Sequence, residues 1–442
     1  MARSSPPTNP FIYARALAPE EGITRLTDIG QLLDLASGGH NSTLYAPRRM
    51  GKTSLLKQTL AAAKRHDMLG VLVDFSDVLS EPDVAARLDQ AFRTLPKRAR
   101  RFIDRELGSI GVTTPLGGLV LGRRVQQPDP IAIIHALLEI PAKLADQTGE
   151  RTLVVFDEFQ ALIALTGLDG VFRSHLQHHE HVSYIFSGSE PSLLRALFED
   201  RSRPFYGQAQ PIRLQRLGFK PAHDFVVRRF LDADRDAGDA AAELVHLTGG
   251  HPQRLMLLAH HLWAALPQAQ PATLSDLRLA YDSAMRQVEP ELRFLVDSLS
   301  SNERRVLSAI ASGFSPFEAQ ARKITGLATS SSAQRAAQSL EHRTALERDE
   351  LGELQFVDPL LARWFRRHGG ARAQIYVIPD PNGTYRVTDG PSLAFTRADA
   401  LTLDEAETEA DRIANAARGA DVMIIDSNDP NDLPDWAIKP RE

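Results

Sequence analysis

Short apolar runs alternate with longer amphipathic ones through the first half of the chain. Asp28 to Ala36 predicts a helix, with Ile29, Leu32, Leu33 and Leu35 as its apolar positions and Gly38-Gly39 as its stop. Ser42 to Ala46 predicts a short strand, Ser54 to Lys64 a helix, Leu69 to Phe75 a second buried strand and Pro82 to Leu95 another helix. From about Lys97 to Asp129 the pattern breaks, first at Lys-Arg-Ala-Arg-Arg and then at Pro-Leu-Gly-Gly-Leu-Val-Leu-Gly, and this stretch reads as an insertion or mobile loop. Regularity returns with a helix from Ile131 to Ala145, in which Pro141 is a potential kink, and with strands at Thr152–Phe156, Ser183–Ser187 and Gln210–Leu214. Short apolar strands separated by helices predict a parallel sheet covered on both faces, an α/β fold.

From Pro221 to about Val288 the pattern is helical throughout. Ser301–Ser312, Pro316–Thr325 and Ser330–Arg343 then predict three helices, followed by a hairpin through Asp349-Glu350-Leu351-Gly352, the order of a winged helix. After Gly369-Gly370-Ala371 the tail predicts a strand (Gln374–Ile378), a turn, a strand (Thr384–Thr388), a helix (Thr402–Arg418) and a strand (Val422–Ile425), with a Pro- and Asp-rich end from Ser427 expected to be mobile. The expected domains are therefore a core over 1–218, a helical lid over 219–295, a winged helix over 296–368 and a small α+β domain over 372–442.

Composition narrows the class. At roughly 150 residues per domain, 442 residues suggest two to four domains. No apolar run approaches the ~18–20 residues of a membrane span, and no apolar stretch follows Arg3 as a secretory signal requires, so a cytoplasmic location is expected. The chain has no cysteine, which excludes disulfides, thiolate zinc sites and cysteine nucleophiles. The net charge of −5 conceals an asymmetry: from Ala371 onward 14 acidic residues face 7 basic ones, a balance of −7, which leaves +2 on everything before. Only local patches can therefore argue for nucleic acid.

The chemistry-bearing segment is Ala46-Pro47-Arg48-Arg49-Met50-Gly51-Lys52-Thr53-Ser54, between a predicted strand and a predicted helix. In that context backbone N–H groups and the positive helix end wrap a β-phosphate, the lysine reaches β/γ oxygens, and the threonine hydroxyl ligates Mg²⁺. Ala46 stands where the consensus has glycine, and its Cβ restricts the backbone at the loop entry. About a hundred residues later, Leu153-Val-Val-Phe-Asp157-Glu158 is a buried strand ending in two acids. An Asp there holds the Mg²⁺ shell, and the adjacent carboxylate can polarise an attacking water. A third strand ends in Ser187-Gly188-Ser189-Glu190, where a hydroxyl contacts the γ-phosphate or the water, or the segment simply caps the helix starting near Pro191. Arg201 and Arg203 beyond that helix are either a solvated turn or an arginine finger into a neighbouring subunit.

These segments resemble a family. Tyr-Ala-Pro-Arg-Arg-Met-Gly-Lys-Thr-Ser-Leu-Leu, Val-Val-Phe-Asp-Glu-Phe-Gln, Phe-Ser-Gly-Ser-Glu-Pro-Ser-Leu-Leu and Gly249-Gly250-His251-Pro252-Gln253-Arg254-Leu255 are similar to motifs of the archaeal-type ATPases, relatives of the AAA+ and STAND signal-transduction ATPases, over roughly residues 8 to 367. The resemblance implies a P-loop NTPase core of AAA+ type with a helical lid and a winged helix. It assigns Lys52 and Thr53 to phosphate and Mg²⁺, Asp157 to Mg²⁺, Glu158 to water and Ser187 or Ser189 to a sensor role. It places Gly-His-Pro, with Pro252, over the adenine and ribose, and makes Arg254 a candidate second sensor. Phe11, Ile12 and Ile23 fall where the family supplies adenine-side contacts, although the usual Arg-Glu pair after that segment is here Thr24-Arg25-Leu26. It also favours ATP, and no Asn-Lys-x-Asp guanine signature occurs.

Partner signals are local. The predicted recognition helix carries Ser331, Ser332, Gln334, Arg335, Gln338 and Arg343, able to reach bases or phosphates, but the predicted wing holds Glu347, Asp349, Glu350 and Glu353, which would repel phosphate, so a protein-contact or intramolecular role stands equal to DNA binding for this domain. Lys97, Arg98, Arg100, Arg101 and Arg105, which Arg123 and Arg124 can join, form a better basic patch, a candidate for nucleic acid or a solvated face. His175, His178, His179 and His181 read as an exposed helix end, with a metal site as the alternative. Three functions follow: a Mg²⁺-dependent ATP switch that self-associates, a DNA-binding ATPase adaptor, and a non-hydrolysing nucleotide scaffold, against which the complete Asp157-Glu158 pair argues.

Overall fold

Two compact units make up the protein: Ala16–Gln215, and the N-terminal segment up to Arg15 together with Arg216 onward. The structure is a computed structural model and describes residues 8–109, 129–266, 270–349 and 351–368, and in the C-terminal region 374–379, 385–388, 396–402, 404–406, 408–410 and 421–424.

The first unit contains α1 (Leu26–Ser37), β1 (Ser42–Tyr45), α2 (Lys52–Arg65), β2 (Leu69–Asp74), α3 (Glu81–Phe92), α4 (Lys97–Ser109), α5 (Pro130–Thr148), β3 (Thr152–Asp157), α6 (Leu168–Leu176), β4 (Val182–Gly188), α7 (Pro191–Glu199) and β5 (Gln210–Arg213). The five strands form one parallel sheet in the order β2-β3-β4-β1-β5. Alternation along β3 divides the core: Leu153 and Val155 pack with α1 and α2 residues on one face, while Val154 and Phe156 join the α3 and α5 side on the other. That second face is aromatic, with Phe75, Phe156, Phe159, Phe172, Tyr184 and Phe186 in mutual ring contact.

One expectation fails here. The stretch beginning at Lys97 is not all loop, because α4 runs from Lys97 to Ser109. The run of cations conceals its period: Phe102, Ile103 and Leu107 are buried while Lys97, Arg98, Arg100, Arg101 and Arg105 are exposed. The Pro-Leu-Gly-Gly part of that stretch, with Arg123 and Arg124, lies outside the described residues. The helix α5 continues through Pro141.

The second unit contains α8 (Phe219–Leu231), α9 (Ala240–Thr248), α10 (Pro252–Ala265), α11 (Leu274–Asp297), α12 (Ser301–Ala311), α13 (Ala319–Thr325), α14 (Ser330–His342), an antiparallel hairpin of β6 (Leu346–Arg348) and β7 (Leu354–Phe356), and α15 (Pro359–His368). Capping boxes at Thr273, Ser300 and Thr329 start α11, α12 and α14. Residues 8–15 belong here rather than with the expected 1–218 core. Phe11, 1% exposed, packs against Phe225, Phe230 and Trp263, and Asn9 Nδ2 donates to the His260 carbonyl at 3.0 Å.

The tail holds β8 (Gln374–Pro379), β9 (Tyr385–Thr388), β10 (Thr396–Leu401) and β11 (Asp421–Ile424), in the order β10-β9-β8-β11. The strand β10 was not expected: Ala398, Ala400 and Leu401 are helix formers, and pairing with β9 overrides that preference. The residues from Ser427 onward lie outside the described ones.

Candidate active site

The strand β1 delivers the chain into the Ala46–Gly51 loop, and α2 begins directly at Lys52. Gly51 is left-handed (φ 83°), and so is Arg49 (φ 67°), whereas Ala46 needs no positive φ. The departure from glycine at position 46 therefore costs the loop nothing in backbone strain. With glycine at the N-cap and no acid in the first turn, the leading amides of α2 keep their positive end uncovered. An anion fits that end.

Lys52 is buried and donates from Nζ to the carbonyls of Ala46 (2.8 Å) and Pro47 (3.1 Å). Burial lowers its pKa to about 8, against the opposing pull of Glu158 and Asp157. Thr53 Oγ1 donates to Asp157 Oδ2 at 2.7 Å. Burial raises the Asp157 carboxyl, while the hydroxyl of Thr53 and the neighbouring Ser187 pull it the other way. Ser187 itself is fully buried, and its Oγ has no hydrogen-bond partner of normal geometry. A hydroxyl and a carboxylate already joined, next to an uncovered helix end, suit a hard cation that takes its other ligands from phosphate and water. Among the described residues no group of three or more His, Asp or Glu side chains is placed to hold a metal by itself.

Glu158 leaves the sheet in the left-handed region (φ 53°), and the 3₁₀ turn Phe159–Ala164 follows. Its Oε2 accepts from Ser189 Oγ (2.7 Å), Ser189 N (3.3 Å) and Gln160 Nε2 (2.5 Å). Its own N–H donates to Asp157 Oδ1. The structure thus brings Lys52, Thr53, Asp157, Glu158, Ser187 and Ser189 into one cluster. Of the remaining loop residues, Pro47 and Met50 are buried, Arg48 and Arg49 are exposed, and Ser54 Oγ accepts from Leu17 N at 3.0 Å. Gln58 Nε2 donates to Pro19 O and Ile23 O, so the segment before α1 is stitched along α2.

Other predicted residues have contacts of their own. Arg203 contacts Asp169 at 3.4 Å, and Arg201 is exposed in the turn after α7. Pro252 and Arg254 belong to the second unit. Pro252 is the first residue of α10, capped by His251, which is fully buried and has its pKa lowered to about 3 by burial. Arg254 is 2% exposed and forms a two-pronged ion pair with Asp358, Nε to Oδ1 at 3.0 Å and Nη2 to Oδ2. Glu347 of the hairpin accepts from Arg216 Nη2 at 2.9 Å, so it is no free acid at a wing tip. Arg335 is exposed on α14. His175 contacts Glu139 and His135, and His179 contacts Tyr184.

Sequence reasoning missed Gln160 and Arg25. Arg25 Nη1 donates to Gln215 O at 2.8 Å and Nη2 to Met50 O at 3.4 Å, bracing the phosphate loop from behind. A carbonyl partner leaves no trace in sequence. Gln160 was visible only as the last letter of Asp-Glu-Phe-Gln.

A parallel sheet in which a Gly-Lys-Thr loop and an Asp-Glu strand end meet across an interposed strand defines a P-loop NTPase. The chain belongs to the family of ATPase domains predominantly from Archaea, which matches residues 23–258. Among solved structures it is similar to a Walker-type ATPase of Pyrococcus abyssi, with 18% identity, a TM-score of 0.59, and coverage of 81% of this chain and 99% of that one. It is also similar to the ORC2 protein of Aeropyrum pernix in its ADPNP–ADP complexes (14% identity, TM-score 0.47, 79% and 95% covered). The ORC1 protein of the same organism, in complex with DNA, has 13% identity and a TM-score of 0.40, with 79% and 93% covered. No curated protein matches the chain.

Proposed function

We propose that the protein is a Mg²⁺-dependent ATPase working as a molecular switch. The observation that carries this reading is the cluster itself: the buried Lys52, the Thr53–Asp157 hydrogen bond and Glu158 held by Ser189, all beside one uncovered helix end. When bound, Mg²⁺ would supply neutralisation of phosphate charge. Thr53 and Asp157 would hold it, and Lys52 would turn from the loop carbonyls to phosphate oxygens. Glu158 accepts the proton of the attacking water through Oε1, since the three donors from Ser189 and Gln160 all lie on Oε2. Ser187 or Ser189 reports the γ-phosphate, Arg201 or Arg203 supplies a finger in a self-associated form, and the lid with Pro252 and Arg254 and the winged helix respond to the nucleotide.

A second reading, a DNA-binding ATPase adaptor, draws support from α4, whose five cations are all exposed. Turnover of ATP by wild type and Glu158→Gln, each alone and with duplex DNA, tests both. Turnover lost in the variant supports hydrolysis at this site, and stimulation by DNA supports the second reading. Equal turnover in wild type and variant rejects the assignment.

A further inference from the structure

Gln160 sits one residue beyond Phe159 in the turn that follows Glu158, and it is 6% exposed. Phe159 and Leu162 bury the same turn in the aromatic core, so the Gln160 backbone has little freedom. Its Nε2 is committed to Glu158 Oε2 at 2.5 Å, while its Oε1 is buried without a partner. A glutamine kept for the fold would satisfy both ends of its amide. This one satisfies the end that faces Glu158. The arrangement also requires space: an added Cβ at Gly188 would run into Gln160 Oε1 and come within 3.3 Å of Leu194. The donors from the Phe159–Ala164 turn and from Ser189 converge on the same oxygen, from two elements joined to adjacent strands.

We infer that Gln160 is a positioning residue for hydrolysis: with Ser189 it pins Oε2 of Glu158 so that Oε1 alone is presented to water, and glycine at 188 is required to admit it. The inference rests on the ATPase reading proposed for the same cluster. The carboxylate is not parked by these hydrogen bonds; it is aimed by them.

The test is steady-state ATP turnover of Gln160→Ala and Gly188→Ala, each in the whole 442-residue chain, beside wild type and Glu158→Gln, with nucleotide affinity and thermal melts measured on each. The expected result for Gln160→Ala is a kcat about 10–100-fold lower with KM and ATP affinity changed by less than about threefold. Gly188→Ala reproduces the same split with the Gln160 side chain present, which keeps the inference testable where a Gln160 variant does not fold. Unchanged kcat, a raised kcat or a loss confined to KM would each overturn it. Wild type and Glu158→Gln with equal turnover would instead overturn the ATPase reading, and the inference would fall with it.

Discussion

Thr53 Oγ1 and Asp157 Oδ2 are hydrogen-bonded at 2.7 Å although 104 residues separate them. Their strands are not neighbours: β4 lies between β1, which leads into the phosphate loop, and β3, which ends at Asp157. The hydrogen bond reaches across that strand because all three end on the same edge of a parallel sheet, where the following loops gather. The interposed strand brings Ser187 and Ser189 between the loop and the acids.

Replacing Lys52 by Ala should weaken ATP binding by about 10–100-fold, the magnitude of a missing charge-assisted hydrogen bond of about 1.5–3 kcal/mol. The wild-type affinity should also depend on pH. With its pKa lowered to about 8, Lys52 is protonated below that value and loses its charge as pH rises through it, so affinity is flat near pH 7 and declines above pH 8. Calorimetric titration with ATP across pH 6.5 to 9.5 checks both.

Glu158→Gln should retain ATP affinity and lose turnover by about 10²–10⁴-fold, the usual contribution of a positioned general base. A filter-binding measurement beside a phosphate-release assay separates the two quantities.

Arg254 is buried and its partner Asp358 half-buried, so removing the carboxylate strands a buried charge. Asp358→Asn should lower unfolding free energy by about 3–5 kcal/mol, whereas replacing both residues by apolar ones of similar volume should recover much of that loss. Burial raises the Asp358 carboxyl, but the Arg254 charge and hydrogen bonds outweigh it and hold it below the ordinary value. A depressed folded pKa means the stabilisation is present above about pH 4 and disappears as pH falls through the folded value. Urea unfolding at pH 3 to 7 should show a steeper dependence in wild type than in the double variant.

If α4 binds nucleic acid, replacing Arg98, Arg100 and Arg101 by Gln should weaken duplex binding uniformly across sequences. The slope of log affinity against log salt should fall by about 1 for each phosphate that is no longer neutralised. Fluorescence anisotropy at several salt concentrations reads this directly, and salt-independent binding would reject the interface.

Much of the site was legible because its residues are local in sequence. A strand, a Gly-Lys-Thr turn and a helix announce a phosphate loop, and four apolar residues ending in Asp157-Glu158 announce a buried strand with acids at its tip. Chemistry without period was harder to read: five cations in α4 obscured three buried apolar positions, and the alanines of β10 hid a strand that only its partner β9 specifies.

By itself, then, the sequence determined the α/β alternation, the phosphate loop, the paired acids and the absence of thiol chemistry, since each follows from neighbours in the chain. Only the tertiary structure decided that β4 separates loop from acids, that Gln160 and Ser189 share one oxygen of Glu158, that Arg25 braces Met50, and that Arg254 is paired with Asp358. The physical reason is that strand order and long-range hydrogen bonds are set by which apolar faces bury one another. Partners brought together in that way carry no spacing rule that a linear reading can detect.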